Sequence, residues 1–451
     1  MRALLFFSKS ASPKKPKMNR RNVLVFPAGT EIGLEIYQAL KYCKEVKLYG
    51  AGENISNHAK FTYPEYHTVP SVHEKNWLEP LVDVCHRLSI DYIMPAHDDA
   101  LVALSDNRSQ LTARLIAPSQ ETCTITRSKL QTYRRLRDRL RVPFVYDTDN
   151  CSQYYPLIVK PDCGQGSFGV SRVHNHRELL AAMSQVTDPI ICEYLPGDEY
   201  TIDCFSDRDL GLLFSGARCR RRTRNGIALN TNTVALAEAA DLAAIIHQEL
   251  ELYGAWFFQL KRAASGELAL LEVAPRVAGS MSTHRMMGVN FPLLSIFEME
   301  RLPLSILVNA GDIEVDRALG NRYRHTLRYG TLYVDLDDTL LIDGAINTHL
   351  IKLIYASVNL NKTVKLITRH REDLTNTLAK YRLSNLFDEV IHLRKGEPKS
   401  SRIIESDAIL IDDSFSERSE VAKSCGIHTF DCSMIELLSE QAEFLNGAQT
   451  Q

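Results

Sequence analysis

The sequence predicts a multidomain chain of mixed class, α/β and α+β. It comprises a small parallel α/β domain, a larger α+β domain on antiparallel sheet, and a C-terminal α/β domain on a second parallel sheet. Three observations predict it. The chain has 451 residues, and at roughly 100–200 residues per domain that length calls for two to four folded units. Strand and helix patterns alternate at both ends. Between them, short strands follow one another through tight turns, as antiparallel sheet requires.

Composition narrows the function classes. Hydrophobic residues at 45% and charged residues at 24% match the globular average, which excludes a mostly disordered or collagen-like chain. With 53 basic and 55 acidic residues the net charge is −2, so no global field holds nucleic acid or an anionic membrane. No apolar run approaches the roughly 18–20 residues of a membrane span. The ten cysteines have neither paired nor zinc-like spacing and read as reduced thiols of a cytoplasmic protein. Residues 1–21 end in an acid-free basic run from Lys14 to Arg21, which reads as a disordered tail or as an over-extended start ahead of Met18.

Residues 22–118 form the first unit. Asn22 to Pro27 is an apolar strand running into a turn with Gly29 and Gly33, and a helix follows on Leu34, Ile36, Leu40 and Tyr42. Strands at Val46 to Tyr49 and Tyr92 to Pro95 flank a helix at Leu78 to Leu88. The glycine turn lacks the full dinucleotide fingerprint, so its glycines serve a tight turn. Residues 119–310 carry strands at 155–160, 170–173, 190–194, 200–206 and 210–217, a helix at 236–252, and a strand pair at 256–262 and 267–274. Residues 311–329 are polar, poorly periodic and read as a linker. The third unit, 330–451, opens with a strand ending at Asp335, and later strands end at Thr368 and Asp412.

Gly164, Gly166 and Gly169 match G-x-G-x-x-G, but a strand rather than a helix follows them, so the loop is a hairpin tip. Lys160 immediately precedes it. A hairpin with bare backbone N–H groups above an ammonium suits the phosphates of ATP. Alternation along the strand places Leu270, Glu272 and Ala274 on one face, from which the Glu272 carboxylate can reach a metal bridging those phosphates. The cluster Arg218, Arg220, Arg221, Arg222 and Arg224 follows a strand; it is either a solvated loop or a lid over an anionic substrate. His284 and Arg285 either line the same pocket or face solvent.

From residue 22 to about 310 these motifs resemble the ATP-grasp superfamily, in particular the large subunit of carbamoyl-phosphate synthetase and its relatives. The resemblance implies an ATP site at Lys129, Lys160, Gly164, Gly166, Ser167 and Gly169, with a hinge at Glu193, Tyr194 and Leu195 and a ribose contact at Glu199. It places magnesium, or manganese in its stead, on Gln259 and Glu272, and Arg276 beside the transferred phosphate. Where the family usually has Glu-x-Asn-Pro-Arg, this chain has Glu272-Val-Ala-Pro-Arg276, so the second metal position is expected to be weakened. The implied reaction is ADP-forming ligation of a small-molecule carboxylate to an amine through an acyl phosphate.

In the third unit, Asp335 and Asp337 sit two residues apart at a strand end, an arrangement costly to keep ionised unless a cation shares the charge. With Thr368, Lys399, Asp412 and Asp413 they follow in the order of the four motifs of the haloacid dehalogenase (HAD) superfamily, which this Rossmannoid segment resembles. That implies Asp335 as nucleophile, Asp337 as general acid/base, Thr368 on the phosphoryl group, Lys399 (or else Lys395) as the motif lysine, and Asp335, Asp337, Asp412 and Asp413 around magnesium. About thirty residues separate Asp335 from Thr368, too few for a large cap domain besides the core elements. The expected substrate is a phosphorylated metabolite. The resemblances leave two other roles open: an ATP-binding module that regulates the phosphatase, and a non-catalytic scaffold.

Overall fold

The structure, a computed structural model, describes residues 19–166, 168–224, 226–323 and 325–439. Met18, most of the basic tail and Ser167 lie outside the described residues. The chain divides into two compact units, Met1–Leu319 and Gly320–Gln451.

The first unit begins with a parallel sheet of β1 (Arg21–Phe26), β2 (Val46–Gly52), β3 (Tyr66–Thr68), β4 (Tyr92–Pro95) and β5 (Arg114–Leu115), in the order β3-β2-β1-β4-β5. Val23 and Val25 pack into one core while Leu24 and Phe26 pack into another. Both faces are covered, which is why β1 is continuously apolar instead of alternating. Thr30 caps the helix Glu31–Leu40 by accepting from the Gly33 N–H at 3.0 Å. A Cβ on Gly33 would lie 2.3 Å from the Ala28 carbonyl oxygen, so this glycine serves close packing. Tyr42 lies beyond the helix and is exposed, because the chain turns away after Leu40.

Next comes an antiparallel sheet of β6 (Val145–Tyr146), β7 (Leu157–Pro161), β8 (Ser171–Val173) and β9 (Pro189–Glu193), ordered β6-β9-β7-β8. The glycine loop joins β7 to β8 as the expected hairpin tip. A six-stranded sheet follows: β10 (Glu199–Asp207), β11 (Gly211–Arg224), β12 (Ile227–Val234), β13 (Gly254–Arg262), β14 (Leu268–Ala274) and β15 (Glu314–Asp316), ordered β14-β13-β10-β11-β12-β15. Trp256, Phe258 and Leu270 form its core with Ala243 and Ile246 of the helix Ala239–Leu250.

Three expectations are corrected here. The arginine cluster is not a loop: β11 runs through it and pairs with β12. A strand so basic is stable because acids meet it: Arg218 pairs with Asp203, Arg220 with Glu199, Arg221 with Glu314 and Arg222 with Asp316. The 311–329 stretch is not wholly linker, since β15 closes the sheet edge against β12. Finally, Leu270 does not share a face with Glu272. Gln259 pairs with Glu272 but Leu260 pairs with Leu270, so Leu271 is an extra residue and the alternation breaks there.

The second unit is built on β16 (Thr331–Val334), a hairpin of β17 (Leu341–Ile342) and β18 (Ala345–Ile346), then β19 (Thr363–Thr368), β20 (Glu389–His392), β21 (Ala408–Ile411) and β22 (His428–Phe430). Its parallel sheet is ordered β20-β19-β16-β21-β22, so the strand order reverses between β16 and β21. Leu332 and Val334 face one core and Tyr333 the other. Among the described residues no helix is long and apolar enough to cross a membrane. All ten cysteines are free thiols.

Candidate active sites

In the first unit a narrow cleft of about 180 Å³ runs between the glycine hairpin and the six-stranded sheet. It opens into a cavity of about 1050 Å³, with Gly164, Gln165, Gly166, Gln259 and Glu272 lining both. Lys160, at the end of β7, is buried and donates to the Tyr133 hydroxyl at 2.9 Å; that hydroxyl donates to the Leu271 carbonyl at 2.8 Å. Lys129 opens the helix Lys129–Leu136, which Ser128 caps. Its Nζ donates to the carbonyls of Asp162 and Gly164 at 3.2 and 3.4 Å. Burial pulls this ammonium below its ordinary pKa, Glu272 opposes the shift, and Lys160 and Arg127 reinforce it. A bound polyanion would relieve this strain on Lys129.

Gly166 and Gly169 hold positive φ of 62° and 72°, the left-handed region that favours glycine. The loop meets the β11–β12 turn backbone to backbone: a Cβ on Gly226 (φ 71°) would lie 1.9 Å from the Gly166 carbonyl carbon. Gly226→Ala is therefore expected to displace the loop. Strain and clash of about 1–3 kcal/mol translate into roughly a tenfold weaker ATP affinity or more, measurable by calorimetric titration beside wild type.

The remaining expected ATP residues line the cleft with partners already in place. The Glu193 carboxylate accepts two bonds from Arg141, at 2.7 and 2.5 Å. Tyr194 lies under the Arg172 guanidinium, 3.9 Å from its ring centroid. Leu195 is buried. Glu199 is paired with Arg220 and, at 3.6 Å, with Lys261. Gln259 and Glu272 are cross-strand neighbours, but Gln259 also accepts from Arg220 at 3.3 Å. Two hard oxygen donors suit magnesium when phosphate oxygens and water complete the shell. Ala274, buried in the core, adds none.

Arg276 lines the large cavity and is clamped by Asp98 through two bonds of 2.6 and 2.7 Å. Burial opposes ionisation of Asp98, yet Arg276 and Arg127 together hold its pKa below the ordinary value. Arg218, also on the cavity wall, forks onto the buried Asp203 at 2.9 and 3.1 Å. His284 reaches the same carboxylate at 2.8 Å, and Arg285 pairs with Glu35 at 2.7 and 3.1 Å. Neither residue lines the cavity: His284 is buried behind it on the carboxylate that holds Arg218, and Arg285 is half-buried against Glu35. Three contributors escaped sequence reasoning. Tyr133 carried no local signal, Arg127 stood unmarked beside Ser128-Lys129, and Arg317 lay in the supposed linker.

In the second unit, carboxylate oxygens of Asp335, Asp412 and Asp413 lie within 4.8 Å of one another. Among the described residues this is the one group of three or more acidic, His or Cys ligands so placed. Asp335 and Asp412 follow β16 and β21, on either side of the point where strand order reverses. The buried Lys399 Nζ bridges them, donating to Asp335 at 2.6 Å and Asp412 at 2.5 Å. Lys395 is exposed. Burial, with Asp412 adding and Lys399 opposing, pushes the Asp335 carboxyl up to about 7. Thr368 is buried at the end of β19, its hydroxyl accepting from the His370 N–H at 3.2 Å. Asp337 stands outside the acidic group. Its carboxylate oxygens lie 2.9 and 3.0 Å from Nδ1 of His370, whose Nε2 is 2.9 Å from the Thr377 hydroxyl. Sequence reasoning missed His370, although it lies two residues after Thr368. It also missed Thr339, whose hydroxyl donates to Asp413 at 3.1 Å.

Residues 185–311 match the family described as "ATP-grasp in the biosynthetic pathway with Ter operon". The chain is similar in fold to the biotin carboxylase domain of Hydrogenobacter thermophilus 2-oxoglutarate carboxylase in complex with MgADP, ADP and bicarbonate. The identity is 15% and the TM-score 0.56, over 66% of this chain and 74% of that one. It is also similar to the L-amino acid ligase from Bacillus licheniformis, with 20% identity and a TM-score of 0.52 over 64% and 76% of the two chains. N5-carboxyaminoimidazole synthetase from Staphylococcus aureus, complexed with ADP, gives 16% and 0.52 over 65% and 81%. No curated protein matches the chain. These likenesses show the fold, which is ATP-grasp-like.

Proposed function

From an ATP-grasp-like fold as premise, we propose that the first unit is an ADP-forming ligase joining a carboxylate to an amine through an acyl phosphate. The observation that carries this reading is the junction of cleft and cavity, where the buried Lys160, the half-buried Lys129 and a glycine loop adjoin Glu272 and an arginine-lined chamber. ATP would lie in the cleft with its adenosine end toward Leu195 and Glu199 and its phosphates beneath the loop. Lys129 and Lys160 would neutralise those phosphates, and Arg276, fixed by Asp98, would face charge developing on the transferred group. The acid would occupy the larger cavity. Its carboxylate oxygen attacks the γ-phosphorus, ADP departs, and an amine then displaces phosphate from the acyl carbon. Magnesium held by Gln259 and Glu272, when bound, would supply further charge neutralisation.

Such a mechanism relies on positioning and preorganised charge, since most of the groups are held by partners before substrate arrives. The test is ADP release together with hydroxamate formation when hydroxylamine is offered with a panel of metabolite carboxylates. Hydroxamate appearing only with ATP supports the ligase. ADP formation at background with every acid would favour an ATP-binding regulatory module instead.

For the second unit we propose a magnesium-dependent phosphohydrolase of the HAD type without a large cap, acting on a phosphorylated metabolite. Asp335, bridged to Asp412 by Lys399, supports the reading, because a lysine there offsets two carboxylates until a divalent ion and a phosphoryl group bring their own charges. Asp335 would accept the phosphoryl group, and water would release it. With the Asp335 carboxyl near 7, protons and a divalent ion compete for the same oxygens. Magnesium affinity is expected to fall as pH drops below that value, by about tenfold per pH unit, and to level off above it. Titration calorimetry at about pH 6 and about pH 8 checks this; equal affinities would contradict it.

A further inference from the structure

A second, smaller cavity of about 270 Å³ opens at the carboxyl ends of the first sheet, with residues following β1, β2, β3 and β4 on its walls. It lies where the strand order reverses between β1 and β4, the position at which open α/β sheets bind ligands. Its charge inventory differs from its neighbour's. Arg127, Arg218, Arg220, Arg276 and Arg317 line the 1050 Å³ cavity together with Glu31, Asp98 and Glu272. No Lys or Arg lines the smaller one, whose acidic residue is Glu53 among the polar groups of Asn57, Tyr66, Ser71 and His73. The two cavities share Thr30 and His97.

These two shared residues are neutral groups held by hydrogen bonds. The Thr30 hydroxyl donates to the Ala96 carbonyl at 2.9 Å. His97 Nδ1 accepts from the Asp99 N–H at 3.2 Å, so a neutral ring carries its proton on Nε2. Burial lowers the His97 pKa and keeps the ring neutral. A phosphate-bearing ligand does not suit the smaller cavity. The Gly33 backbone is packed against Ala28, and Gly29 is covered by the Asn57 side chain, so neither glycine offers an open anion cradle.

We propose that the smaller cavity binds the amine nucleophile, which moves past Thr30 and His97, the boundary common to both cavities, to reach the acyl phosphate formed in the arginine-lined cavity. The inference rests on the ligase reading. Charge sorts the substrates: five guanidinium groups against three lining carboxylates leave the larger cavity a cationic surplus that favours the acid, while a chamber with a carboxylate and no cation in its lining favours an ammonium. The ammonium gives up one proton to solvent, and its nitrogen lone pair attacks the acyl carbon. The bond from that carbon to the phosphate oxygen breaks, and a second nitrogen proton leaves with hydrogen phosphate, giving the amide.

The experiment is ligand-observed NMR on the full chain with glycinamide and methylamine as probes and succinate as the anionic control. Glu53→Lys reverses the charge, and Ile55→Trp, at an exposed position on the cavity wall, fills the space. Expected is amine binding to wild type that weakens at least tenfold in any variant retaining wild-type affinity for MgATP, with succinate unaffected. Absence of amine binding to wild type, or amine binding unchanged in both variants, would overturn the assignment. Failure of the ligase reading is recognised separately: wild type would form no ATP-dependent hydroxamate with any acid, whatever the amine probes do.

Discussion

Lys160→Ala is expected to lower ATP-dependent ADP release by about 10²–10³-fold, the usual effect of deleting one preorganised group that meets developing charge. The expectation follows from where Lys160 sits. Its ammonium is buried at the base of the glycine loop, and the Tyr133 hydroxyl fixes its direction. No rearrangement is needed when phosphate arrives. Tyr133→Phe serves as the companion variant, since it keeps the cation and removes the hydroxyl that orients it. That change is expected to cost less, roughly 10-fold, as one hydrogen bond of about 1–2 kcal/mol would. Steady-state assays of both variants check the order; equal effects would mean that Lys160 acts through folding instead of through phosphate.

Asp335→Asn is expected to reduce phosphatase activity toward small esters by about 10³-fold or more, because the amide keeps the volume but lacks the nucleophilic oxygen. The substitution removes a carboxyl whose ionisation burial opposes, while Asp412 still pairs with Lys399. Folding is therefore expected to survive it. ADP release by the first unit should be unchanged, which separates a lost nucleophile from a damaged protein. Hydrolysis of p-nitrophenyl phosphate with magnesium is the assay. Unchanged turnover would remove Asp335 from catalysis and leave the acidic group as a binding site.

Local signals were legible and distant ones were not. The hairpin character of the glycine loop could be read because a strand pattern, not a helix, follows Gly169. The ends of β16, β19 and β21 could be read because each apolar run stops at Asp or Thr. The arginine run could not, because it is held as a strand by Asp203 and Glu199 across the β10–β11 register and by Asp316, 94 residues away, and no local pattern announces those pairings. Burial of His284 depends on the same Asp203, 81 residues away. The extra Leu271 shifts a register without leaving any mark in composition. Nothing local marks Asp98 as the clamp on Arg276, 178 residues away.

These ion pairs matter for function because they hold the arginines of the cavity in fixed directions. A guanidinium gripped by a buried carboxylate cannot fold away from a substrate, and breaking such a pair costs about 3–5 kcal/mol. Arg218, Arg276 and their acids thus form a stiff wall on one side of the larger cavity. The glycine loop, whose contact with the opposite turn is backbone on backbone, forms the other.

Titration of the full chain with MgATP, followed calorimetrically, tests this picture most directly. Saturable one-site uptake that Lys160→Ala weakens is the expected outcome. An absence of heat and of saturation, with folded protein and divalent ion present, would show that the lysines and glycine loop do not clamp a nucleotide, and the ligase would fall with them.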